Sequence, residues 1–227
     1  MEEKNSFGNM IKNTVIPIVL YYVANQASAI VFREVLLLFY SKELLQSTGL
    51  SAGIKMAAMA VGGIVVYPFY MRQLQSDEKN MEKKISPLIL VKIAIGGVVL
   101  ALILNVIFAL SGFLQSSDSY GQVAKIQFSL AIFPALLYYA LLSPLVEEMV
   151  FRGIVFSVLE KGISQRMAIL WSSILFGAFH GNIVQMVYGT IMGIIMAYIY
   201  SRYKKLITPI VFHAAANAAV YVCSFYF

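Results

Sequence analysis

The chain has 227 residues, 60% of them hydrophobic and only 12% charged, with a mean hydropathy of +0.79; a soluble domain carries about 25% charged residues. This balance excludes an ordinary soluble fold and predicts a polytopic membrane protein. The net charge of +6 sits in short gaps between apolar runs, without the basic stripe and interleaved aromatics of a nucleic-acid binder, so it marks topology and excludes a nucleic-acid partner.

Residues 1–12 are polar, with Lys4 and Lys12. The apolar run at 13–31 is predicted as the first span, and it lacks the small-residue cleavage site of a signal peptide. Arg33 and Glu34 follow at its far end, and the short apolar stretch 35–45 is predicted to lie in the interface or fold back. A second span at 51–70, rich in Ala and Gly, ends at a basic loop over 72–84. The third span covers 87–113, where Lys92 can snorkel outward, and 115–122 reads as a Ser/Gly/Asp loop. The fourth, 128–159, is long and contains Pro134 and Pro144, which predict kinks or a break. The fifth, 167–180, closes at the stop signal Gly181-Asn182. The sixth, 183–201, has Gly189 and Gly193 at a spacing that suits close helix packing, and the seventh runs from 206 to the C-terminus. There the lone Cys223 excludes an intrachain disulfide and reads as a packing residue.

The expected fold is therefore an all-α transmembrane bundle of about seven spans, eight if 35–45 crosses, in a single domain over 1–227 with core helices over 128–227. With seven spans the four basic segments share one side, which puts the N-terminus in the cytoplasm and Phe227 outside. No tandem or inverted repeat is apparent.

Charges inside an apolar helix cost about 3 kcal/mol each unless compensated. The segment 143–152 holds three: Glu147, Glu148 and Arg152. Glu148 and Arg152 stand one turn apart and can pair, whereas Glu147 points roughly 100° away and remains free. Both histidines of the chain also lie in predicted spans, and His213 shares a helix face with Asn217. Helix rise puts Glu147, His180 and His213 roughly 18, 21 and 10 Å from the basic side, depths that tilted or kinked helices can bring together. Each residue alone would serve as helix glue, and the set would suit a non-enzymatic scaffold. Together they suit hydrolysis by an activated water, with Glu147 as general base, His180 orienting the water, and His213 with Asn217 as oxyanion donors. A Glu/His/His set can also ligate zinc, although HExxH is absent.

These motifs resemble those of the CAAX protease and bacteriocin-processing family of intramembrane proteases, also called CPBP or Abi. That family is marked by Glu-Glu-x-x-x-Arg, Phe-x-x-x-His and His-x-x-x-Asn in successive core helices. Here they read Glu147 to Arg152, Phe176 to His180 and His213 to Asn217, in order, over about a third of the chain. The resemblance implies an eight-helix endopeptidase core with a site opening toward the cytosol. Glu147 and His180 would activate the water, His213 and Asn217 would form the oxyanion hole, and Glu148 and Arg152 would support them. It also implies partners in the bilayer and a peptide or membrane-protein substrate. No cofactor is favoured, with zinc left open. The small size resembles the bacterial branch and implies a bacteriocin or pheromone precursor as substrate, or a bacteriocin self-immunity role without catalysis.

Overall fold

The computed structural model describes residues 2–45, 48–76, 84–128 and 131–224, and its regular elements among them are all helical. Helix α1 (Glu2–Leu37) runs unbroken through Pro17, well beyond the expected first span at both ends. It takes in the start of the 35–45 stretch, which then turns and ends in the four-residue α2 (Lys42–Leu45); that stretch has no span of its own. Helix α3 (Thr48–Ser76) extends into the expected basic loop, of which 77–83 lie outside the described residues. Helix α4 (Pro87–Leu110) starts on Pro87, whose missing N–H costs nothing in the first turn.

The expected loop at 115–122 is instead a 3-10 turn, Phe113–Ser116, followed by helix α5 (Asp118–Phe128). Asp118 in the first turn and Lys125 in the last complement the helix dipole, a charge pattern that outweighs the loop-like Ser and Gly content. Of the fourth expected span, 128–159, Phe128 ends α5, residues 129–130 lie outside the described residues, and the rest is continuous helix (α6) over 132–162. It does not break at its prolines. Two stretches, Leu136–Leu142 and Met149–Phe156, widen to π geometry around the short α-helical segment Ser143–Glu148. Helices α7 (Gln165–Ala178), α8 (Ile183–Tyr203) and α9 (Ile207–Cys223) complete the chain. Between α7 and α8, Gly181 takes φ +73° and Asn182 caps α8 by accepting from the Gln185 N–H at 2.9 Å.

Helix α4 buries Ile93, Ala101, Leu104 and Phe108 while exposing Leu88, Val91, Ile95, Val99, Ile103 and Val106. A helix apolar on its inner and outer faces fits a hydrocarbon surround. Among the described residues four segments, Phe7–Leu37, Gly49–Gln75, Pro87–Leu110 and Ile183–Tyr203, are long and apolar enough to cross a membrane, and Ile207–Cys223 is a shorter apolar helix. The protein is thus an all-α helical membrane bundle.

Helix α6 is central and touches α1, α3, α7, α8 and α9, while α1 with α3, α7 with α8, and α4 with α9 form the most extensive pairs. The glycine spacing in α8 works as steric relief against α7. A Cβ on Gly189 would lie 3.2 Å from Gly177 Cα, and one on Gly193 would lie 3.0 Å from Ser173 Cβ. One end of the bundle is fixed by Met10 packing on Gly162, Lys161 Nζ donating to Gln73 at 2.8 Å, and Lys204 pairing with Glu160. The α7–α8 turn, α5 and the start of α6 lie at the opposite end.

Candidate active site

The first motif sits where α6 changes geometry. Ser143 N–H donates to the Tyr138 carbonyl five residues back, the π pattern. The same pattern would give the Tyr139 carbonyl the N–H of residue 144, which is proline and has none. Asn217 of α9 supplies the missing donor, its Nδ2 lying 2.7 Å from Tyr139 O. One amide hydrogen of Asn217 is thereby fixed and the second is left over.

Ser143 and Glu147 stand one turn apart, and the serine hydroxyl donates to Glu147 Oε1 at 2.5 Å. Glu148 and Arg152 make the ion pair their spacing predicts: Arg152 Nη1 donates to Glu148 Oε1 at 2.9 Å, and both side chains are 0% exposed. Arg152 Nη2 also donates to Gly193 O at 3.1 Å, and its guanidinium stacks 4.5 Å from the centre of the Phe176 ring. The close α7–α8 approach at Gly193 therefore has a second effect, since a Cβ there would sit 3.2 Å from Arg152 Nη2.

His213 links the two glutamates. Its Nδ1 lies 2.9 Å from Glu148 Oε1, so Nδ1 carries a proton and donates. The ring then presents Nε2 to Glu147 Oε2 at 3.9 Å. The spacing argument paired Glu148 with Arg152 alone; in the fold the carboxylate also orients the histidine, much as a buried aspartate orients the imidazole of a serine-protease triad. Ser143 likewise had no role assigned from sequence, although its position four residues before Glu147 is the signal that finds it. His180, just past the end of α7, donates from Nδ1 to its own Phe176 carbonyl at 3.0 Å, which leaves Nε2 as an acceptor. Phe176 meets both histidines edge to face, at 5.1 Å from His180 and 5.7 Å from His213.

A cavity of about 260 Å³ collects Glu147, His180, His213 and Asn217 on its walls, together with Ser143. Glu148 and Arg152 lie behind it. Tyr138, Tyr188, Asn105 and Gln185 add neutral polar groups, and Glu147 is the one Asp, Glu, Lys or Arg among its described lining residues. A catalytic zinc takes about three protein ligands converging at roughly 2 Å. Among the described residues no three His, Cys, Asp or Glu side chains converge in that way.

Residues 129–219 match the family described as type II CAAX prenyl endopeptidase Rce1-like. A protein of Bacillus subtilis (strain 168) named "Putative membrane peptidase YdiL" is 32% identical over 83 residues, 37% of this chain and 34% of that protein. The chain thus spans about a third of the length of this curated relative. No solved structure matches the chain.

Proposed function

We propose that the chain, whose residues 129–219 are of the CAAX protease and bacteriocin-processing family, is an intramembrane endopeptidase that uses Glu147 to activate water. One observation carries this: four polar side chains, from two helices and the turn that follows a third, line the same cavity. Glu147 takes a proton from a water whose oxygen attacks the peptide carbonyl carbon. Ser143 fixes the carboxylate by holding Oε1, and His180 Nε2 accepts the water's other hydrogen. The remaining Asn217 amide hydrogen stabilises the oxyanion, and His213 assists from Nε2 when that nitrogen is also protonated. Glu148 and Arg152 position His213. Protonated Glu147 then passes its proton to the leaving nitrogen as the C–N bond breaks, giving a carboxylic acid and an amine, and the acid's proton then moves to the amine to leave a carboxylate and an ammonium. The largely neutral cavity suits a small apolar peptide or membrane-protein segment, of which a bacteriocin or pheromone precursor is an example.

The test is mass spectrometry of candidate membrane peptides incubated with purified wild type and Glu147→Gln. The variant keeps the shape but accepts no proton, so cleavage should fall by at least about 10² while unfolding is nearly unchanged. A non-enzymatic immunity or scaffold role predicts no cleavage by wild type, and a carboxamide at 147 that perturbs only folding.

A further inference from the structure

The cavity is closed toward one end of the bundle and extends toward the other. On the closed side Val155, Phe156, Ala168 and Ala197 are fully buried, with Leu159 and Tyr200 packed against them, and the Lys204–Glu160 pair lies beyond. This is solid core with no passage for a chain. On the other side the cavity runs from Glu147 past Tyr188 and Phe108 to Leu114, Tyr120 and Gln127, half-buried residues of the segment joining α4 to α6.

The two ends differ in charge as well. Lys12, Arg72, Lys84, Lys161, Arg166, Arg202, Lys204 and Lys205 gather at the closed end, whereas Arg33, Lys42, Lys55 and Lys125 lie toward the open one. Excess Lys and Arg in short loops marks the cytoplasmic side. We propose that the cavity receives its substrate from the extracytoplasmic face, as a neutral, apolar peptide segment presented there. The peptide-bond chemistry rests on the endopeptidase proposal, but the direction of access does not. It reverses the cytosolic opening that the family resemblance implies. A substrate of this kind is an exported peptide or the outer juxtamembrane part of a membrane protein, so a reaction that moves the chain across the membrane must precede cleavage.

Sided labelling tests it. Single cysteines are placed in a Cys223→Ser background at two positions near the mouth, Gln127→Cys and Gln185→Cys, and at the closed end, Arg166→Cys. The full chain is then exposed to a membrane-impermeant maleimide in sealed right-side-out and inverted vesicles. The mouth cysteines should label in right-side-out vesicles and lose that labelling in inverted ones, and Arg166→Cys should show the opposite pattern. Labelling of the mouth from the inverted side alone, or from neither side, would overturn the proposal. Labelling needs no catalysis. A chain that labels as expected but never cleaves would sink the endopeptidase assignment and leave the direction of access standing.

Discussion

Arg152→Ala isolates the buried charge network. The residue and its partner Glu148 are both 0% exposed, and Glu148 Oε2 has no hydrogen-bond partner even with Arg152 present. Truncation would leave a buried carboxylate whose remaining contact is His213 Nδ1. Breaking such a pair costs about 3–5 kcal/mol, most of it from the charge left uncompensated. Loss of the stacking on Phe176 would account for up to about 2 kcal/mol alone, but the two effects overlap, and we expect a total of about 3–5 kcal/mol. Against a folding free energy of about 5–15 kcal/mol this is a large fraction. Removing both charges should hurt less. In Glu148→Leu/Arg152→Met no ion remains, and the main residual cost is the unpaired His213 N–H, about 1–3 kcal/mol. The double variant should therefore be more stable than Arg152→Ala yet stay inactive, because nothing holds the His213 ring. Titration of detergent-solubilised protein with sodium dodecyl sulfate, followed by the fluorescence of Trp171, measures the order. An Arg152→Ala protein that unfolds with wild type, or a double variant no more stable than the single, would refute the network.

Other perturbations separate chemistry from packing. Asn217→Ala should lower the cleavage rate by about 10²–10³, the usual effect of losing an oxyanion donor, in the same peptide assay. Gly193→Ala would press a methyl group on both Ser173 and Arg152; overpacking of this kind costs about 1–3 kcal/mol, visible as an earlier detergent-unfolding midpoint. Prolonged chelation should leave peptide cleavage intact, and loss of activity restored by zinc would refute the glutamate-base mechanism.

The helical bundle was legible because apolar runs, basic gaps and the Gly181-Asn182 stop are local signals. So was the Glu148–Arg152 pair, which spacing on one helix determines. The His213–Glu148 bond joins residues 65 apart in the chain, and no periodicity encodes a contact between helices. Helix α5 was hidden because Ser, Gly and Asp describe a turn as well as a helix start. The π stretches of α6 were hidden for a different reason. A run such as Leu136–Leu142 is apolar all round, so the α and π repeats both present apolar side chains on every face, and Pro144 signals a disturbance without saying how the helix absorbs it.

That disturbance ties together positions 78 residues apart in the chain. Proline at 144 leaves the Tyr139 carbonyl unclaimed by its own helix, and the vacancy fixes where the Asn217 amide points. A helix defect thus acts as an alignment pin for a side chain on another helix. Any residue with an N–H at 144 would offer that carbonyl a donor from within α6, and Asn217 would be free to turn without having been altered itself. Positions 144 and 217 are in this sense one unit, so the tolerance of the site to change at either depends on which residue occupies the other.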